Sequence, residues 1–269
     1  MNIGYRVVVV INCFWALRKL KMKKIMIKSV KQIGVFLMVA LLFGSACNKD
    51  DYYTDGGLAN PYFEGTIMAY LDSKPIEFDT IAQIVRLAGL EETFNQDEFT
   101  FFCPRDRDIK DLIGDYRSGG ANDVLYSLNR DTIKTLSDVD SLIWRKYLLR
   151  YMFKGKNLLA DYPQVDFDVL NIYPGQNYYA YDNSVSKIGV VYNDAVSSDG
   201  KSTLKYMGYR QLHICYIPNL SYPDTWIVNK VASSDIQPTN GVVHALDYTS
   251  EEFGFNSLEV INDIVESKR

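Results

Sequence analysis

The sequence predicts an α+β protein with helices early in the chain and mainly antiparallel strands late in it. Three observations carry that prediction. Up to about residue 155, apolar residues recur mostly at helical spacing. From Val165 onward they fall instead in short runs of strand character, rich in Val, Ile and Tyr. Those runs are divided by the turn-forming pairs Pro174-Gly175, Asp182-Asn183, Asp199-Gly200 and Asn240-Gly241. Helices followed by strands, without βα alternation, point away from a doubly wound parallel sheet.

The elements follow in order. Thr66 is placed to cap a short helix carrying Ile67, Tyr70 and Leu71. Ile81, Ile84, Val85 and Ala88 share one face of a second helix, with Gly89 where a left-handed cap belongs, and Leu90 and Phe94 fold back on it. Phe99 to Cys103 reads as a strand stopped by Pro104. Asp106 or Asp108 caps the next helix, which carries Ile109, Leu112 and Ile113, and Gly119-Gly120 marks a loop. Ser137 or Asp138 opens a helix through Leu142, Ile143, Tyr147 and Tyr151. Strands are expected at Val169–Tyr173, Tyr178–Tyr181, Ile188–Tyr192, Leu204–Met207, Leu212–Ile217, Trp226–Val231 and Val242–Leu246.

The first 46 residues differ from the rest. They hold eight Lys or Arg and no acidic residue. Lys23, Lys24, Lys28 and Lys31 precede the apolar run Ile33 to Phe43, and Gly44-Ser45-Ala46 leads into Cys47. This is the layout of a signal segment, with an apolar core too short to span a bilayer. Small residues before a cysteine resemble the lipobox of bacterial lipoproteins, although Gly44 stands where that pattern usually has a Leu-like residue. The resemblance implies acylation at Cys47 and anchoring to the membrane through that lipid. Met22 already begins a segment of normal length and is the expected start. The acidic pair Asp50-Asp51 resembles an export signal for the outer membrane's outward face. The expected division is 1–46 signal segment, 47–62 tether, 63–250 folded domain and 251–269 a C-terminal extension.

Of 29 Lys and Arg, 21 remain beyond Cys47 against 33 Asp and Glu, a net charge of −12. A body that acidic repels phosphate backbones, so nucleic acid is not an expected partner. No metal site and no cofactor are expected. The two histidines, His213 and His244, sit in strands without ligand-spaced neighbours. His213 is expected to face polar surface and His244 to be a hydrogen-bonded structural residue. No catalytic residue is expected: the chain has neither a Gly-x-Ser-x-Gly elbow nor a phosphate-cradling glycine loop. Asp106, Asp108 and Asp111 read as capping and a solvated face, not as a calcium site. Cys103 and Cys215, both in apolar strands, are expected to be free thiols.

Three stretches resemble one fasciclin domain. The first runs from Phe78 through Ala88-Gly89-Leu90 to Phe99-Thr100-Phe101-Phe102-Cys103-Pro104. The second is Leu148-Leu149-Arg150-Tyr151-Met152-Phe153-Lys154-Gly155, with Met152 where the family carries His. The third and most specific is Asp235-Ile236-Gln237-Pro238-Thr239-Asn240-Gly241-Val242-Val243-His244-Ala245-Leu246-Asp247. The resemblance implies helices packed on a mixed, mainly antiparallel sheet wedge, with Asp235, Ile236, Asn240, Gly241 and His244 as fold-defining residues. It implies a non-catalytic adhesion or interaction module for an extracellular protein or glycan, and the Met152 departure removes an integrin-type partner from that implication. In the strand, Val242, His244 and Leu246 share one face and Val243 and Ala245 the other. Asp235 is expected to bond amides near a tight Asn-Gly turn.

Two rival readings accompany this one. An accessory carbohydrate-binding lipoprotein of a glycan uptake system would use exposed aromatics such as Tyr178, Tyr179, Tyr181 and Trp226, with Tyr173 beside them. A glycosidase would use a carboxylate pair defined only in space.

Overall fold

The computed structural model describes residues 60–117, 119–247 and 252–268. The signal segment, Cys47 and the tether up to residue 59 lie outside the described residues. Among the described residues, no helix is long and apolar enough to cross a membrane.

The helices are α1 (Ile67–Asp72), α2 (Pro75–Leu87), α3 (Glu91–Gln96), α4 (Asp106–Ile113), α5 (Ala121–Ser127), α6 (Ser141–Leu149) and α7 (Ser257–Ser267). The strands are β1 (Phe99–Cys103), β2 (Met152–Lys154), β3 (Gln176–Tyr179), β4 (Val185–Tyr192), β5 (Ala195–Val196), β6 (Thr203–Leu204), β7 (Arg210–Ile217), β8 (Ile227–Ile236) and β9 (Gly241–Leu246). Seven of these strands form one sheet in the order β2-β1-β9-β8-β7-β4-β3, and β5 pairs with β6. Every neighbouring pair in the large sheet is antiparallel except β1 with β9.

That one parallel pair explains the sequence pattern. The three fasciclin-like stretches supply β1, β2 and β9, which lie side by side, with Phe101 in register with Val243 and Phe102 with His244. All five residues of β1 and all six of β9 are buried, so both faces of this half of the sheet are covered. Phe94, brought back by α3, packs edge-on against Phe99 and Phe101 at ring separations of 5.1 and 5.0 Å. Thr66 caps α1 by accepting from the Ala69 N–H. Gly89 ends the α2 turn in the left-handed region, at φ 65°.

Several expectations are corrected. Val169–Tyr173 is not a strand. Asp166 accepts from the Asp168 N–H, and the Ile172 and Tyr173 N–H groups donate to Val169 O, so the segment closes into turns. Of the Leu204–Met207 run only Leu204 is paired, at the end of β6, because Tyr206 stands at φ 59° and breaks it. The sixth helix starts at Ser141, and its cap is Asp140, whose Oδ1 accepts from the Leu142 N–H. Ser137 and Asp138 belong instead to a separate 3-10 turn, and Leu142 points outward. His213 is buried, 6% exposed, beneath the Phe167 ring at 5.6 Å, and does not face polar surface.

Residues 252–268 are part of the folded body, not an appendage. Phe253, Phe255, Val260 and Ile264 enter the same core, and Phe255 stacks on Tyr216 at 5.7 Å. Arg150, almost wholly buried, ties this segment down. It donates to Gly254 O at 2.8 Å, pairs with Glu259 and Asp182, and lies between the rings of Tyr147 and Tyr216. Cys103 and Cys215 are both buried. They lie on β1 and β7, three strand spacings or about 14 Å apart, too far for a disulfide.

Candidate functional site

The closing motif is a joint in the fold. Asn240 Oδ1 accepts from the Ile67 N–H at 2.8 Å, and its Nδ2 donates to the carbonyls of Phe94 and Asp97, 3.0 Å each. One side chain therefore joins the start of α1 and the end of α3 to the start of β9. Neither Asn240 nor Gly241 adopts a positive φ, contrary to the tight turn expected. Gly241 is required by close approach: a Cβ there would lie 2.2 Å from Phe99 O and 2.7 Å from Ile67 Cδ1.

His244 is equally committed. Its Nδ1 accepts from the Asp235 N–H at 3.2 Å, which leaves Nε2 to donate to Asn157 O at 3.0 Å. Full burial pushes its pKa down to about 4, so the ring is neutral. Asp235, at φ 62°, accepts from the Leu159 N–H at 2.7 Å, not from the amides near the β8–β9 turn. Ile236 packs partly buried at the end of β8. These five residues fasten β8 and β9 to α1, α3 and the 157–161 segment, and the side-chain polar atoms of Asn240 and His244 are all engaged there.

The proposed sugar-stacking aromatics do not form one face. Tyr178 leans on Tyr162 and Tyr181 on Phe99, both packed against the core. Trp226 packs with Phe167 beneath Lys187. Tyr173 stands against Tyr206. Only Tyr179 of the four aromatics first singled out is largely exposed. Alternation along β3 sends neighbouring side chains to opposite faces, which separates Tyr178 from Tyr179.

A groove of about 600 Å³ lies along α4, between α2 and the segment 133–136. Ile109, Ile113, Ile133 and Leu136 supply its aliphatic lining, with Thr80, Gln83 and Thr135 as polar lining. Arg107, Lys110 and Lys134 also line it. Its walls are fixed from behind. Asp106 accepts from the Thr80 and Ile81 N–H groups at 3.0 Å each, joining α4 to α2. Asn122 on α5 donates to Ile133 O and accepts from the Ile133 N–H, at 2.9 and 2.7 Å. Trp144 Nε1 donates to Leu136 O at 3.0 Å. At the end of α4, Gly114 stands at φ 59°, where a Cβ would collide with Gly119 O. The Asp108 carboxylate receives the Arg105 N–H at 2.7 Å and so caps α4 as expected, whereas Asp106 acts on α2 and not on the start of its own helix. Arg107 pairs with Asp111 at 3.5 Å, while neither Lys110 nor Lys134 is ion-paired among the described residues.

Chemically the groove is an apolar trough with cations along it, set in a chain whose portion beyond Cys47 is strongly acidic. Sequence reasoning missed it because its walls come from three separate segments. The one local signal, the acidic residues of α4, reports capping and not the basic residues between them.

No family model and no curated protein matches the chain. Among solved structures it is similar to a FAS1 domain pair from the insect cell adhesion molecule fasciclin I, with 18% identity and a TM-score of 0.41. That alignment covers 68% of this chain and 50% of the other, so this chain spans about half the length of the structure it matches. The fold described above rests on this chain's own strand order and register, and the fasciclin likeness accompanies it.

Proposed function

We propose that this chain is a non-catalytic interaction module, anchored at the outer membrane through a lipid on Cys47 and facing outward. In this reading the groove along α4 holds an acidic, partly apolar segment of an extracellular protein. The observation that carries it is the reversal of charge: Arg107, Lys110 and Lys134, against the single lining carboxylate of Asp106, line an aliphatic trough on a body of net charge −12. A ligand with carboxylates flanking apolar side chains satisfies both features of the trough. The walls are pinned by Asp106, Asn122 and Trp144, so little ordering entropy is spent on binding. The closing motif, by contrast, is consumed by the fold, which favours an interaction surface elsewhere.

The test is titration of a fluorescent peptide alternating Glu and Leu against the acylated protein and a Lys110→Glu/Lys134→Glu variant. Saturable binding that weakens with added salt and is lost in the variant is the expected result. Binding of sugars on a glycan array, unaffected by the two charge reversals, would favour the carbohydrate-binding alternative. Equal peptide binding by both proteins would refute the assignment of the groove. Acylation itself is read from the mass of the mature N-terminal peptide, which should begin at Cys47.

A further inference from the structure

The sheet has two ends, and the chain enters the domain at one of them. β7 and β8 are antiparallel with His213 opposite Lys230, so the start of β7 and the end of β8 lie at one end of the sheet. Tyr62 pairs with Gln237 just beyond the end of β8, so the chain comes into the domain there. The segment 193–209 leaves β4 after Tyr192 and rejoins the sheet at Arg210, which faces Tyr192 across the β4–β7 pair. It therefore projects from that same end. β1 runs parallel to β9 and finishes at the opposite end, where Arg105 Nε donates to Leu246 O at 2.8 Å and α4, with its groove, begins.

The projecting segment is built, and it exposes apolar side chains among polar ones. Tyr206 takes its N–H to Asp194 Oδ1 and its hydroxyl to Asp166, while Gly208 N–H donates to Asn193 O. Arg210 donates to the carbonyls of Tyr206 and Gly208 and lies 3.6 Å over the Tyr192 ring. On this framework Val196, Leu204, Met207 and Tyr209, with Ile172 on the adjoining loop, are 61% to 69% exposed. Tyr62, where the chain comes in, is 69% exposed. Lys205 beside them is 77% exposed and reaches Asp194 at 3.0 Å. Aliphatic side chains and methionine, with tyrosines and a long-stemmed lysine, are the composition of a surface that seats in a lipid headgroup boundary.

We infer that this end of the sheet lies on the membrane, with Leu204, Met207 and Tyr209 in the headgroup region. The inference rests on acylation at Cys47. From Cys47 to Asn60 the chain can span at most about 45 Å, about the diameter of a domain this size. A tether no longer than the domain keeps the end at which it attaches within reach of the bilayer, where effective concentration lets a small apolar patch bind. The opposite end, with the groove, is then turned outward.

The experiment uses the acylated protein in phosphatidylethanolamine/phosphatidylglycerol vesicles containing nitroxide-labelled lipid. A fluorophore is placed at Met207→Cys, or at Leu220→Cys in the β7–β8 loop at the opposite end. The native Cys103 and Cys215 are buried and do not compete for label. Quenching about threefold or more stronger at position 207 than at 220 is expected, with loss of that difference in Leu204→Asp/Met207→Cys. Vesicle flotation with equal quenching at both positions would overturn the inference while leaving the anchor intact. Loss of flotation, with an N-terminal mass showing no acyl group, would remove the anchor and the inference together.

Discussion

Replacing Asn240 tests directly whether the closing motif is a structural joint. Asn240→Ala removes three hydrogen bonds, at 2.8, 3.0 and 3.0 Å, and leaves a first-turn N–H of α1 and two carbonyls without this partner. The bonds to Ile67 and Phe94 are partly buried and are worth about 1 kcal/mol each, and the exposed bond to Asp97 less. The expected loss is therefore about 2–3 kcal/mol, which for a domain near 200 residues lowers the Tm by about 5–10 °C. Asn240→Asp separates geometry from mere volume. It keeps the acceptor for Ile67 but turns an oxygen toward the Phe94 and Asp97 carbonyls, so it should destabilise at least as much as alanine. Urea unfolding followed by the fluorescence of buried Trp144 reads both variants. An Asn240→Ala protein within about 0.5 kcal/mol of the parent, or an Asp variant as stable as the parent, would refute the joint.

Other perturbations follow the same logic. Gly241→Ala should cost about 3 kcal/mol or more, because the new Cβ meets Phe99 O at 2.2 Å; circular dichroism of the purified variant, or failure to obtain it folded, checks this. Arg150→Met should cost about 3 kcal/mol by leaving Asp182 without its cation and Glu259 with only Lys146. Its first symptom should be proteolysis near residue 252 as α7 lifts off. Acid should destabilise the protein through His213 and His244, whose pKa values burial lowers to about 4 from an ordinary 6.5. The unfolded chain takes up these protons first, so stability is complete above about pH 6.5 and falls as the pH drops toward 4, by up to about 3 kcal/mol per histidine. Urea midpoints should be flat above pH 7 and decline below 6.5, and His213→Asn should flatten part of that decline. A midpoint unchanged between pH 7 and 5 would contradict it.

Much of the fold is legible in the sequence because short-range chemistry fixes it. Thr66, Gly89, Pro104 and the apolar run of β1 act within a few residues of themselves, and the structure follows them closely. The strands expected at Ile188–Tyr192, Leu212–Ile217 and Val242–Leu246 likewise announce themselves by β-branched and aromatic residues, inside the slightly longer Val185–Tyr192, Arg210–Ile217 and Gly241–Leu246. Failures occur where tertiary contacts overrule local pattern. Val169 to Tyr173 has strand composition but no sheet neighbour, and Asp166 turns it. Asn240-Gly241 reads as a turn, yet its identity is set by Ile67, Phe94 and Phe99, which lie more than 140 residues away along the chain. The groove is less legible still. Thr80, Lys110 and Lys134 become neighbours only after α2 and α4 are joined by Asp106 and the 133–136 segment is clamped by Asn122.

Hydrogen–deuterium exchange of the acylated protein, with and without the Glu/Leu peptide, locates the binding surface without presupposing it. Slowed exchange confined to α4 and residues 133–136, absent in the Lys110→Glu/Lys134→Glu protein, is the predicted outcome. Protection centred on residues 176–181 or on the 235–244 motif, with α4 unchanged, would contradict the placement of the interaction surface.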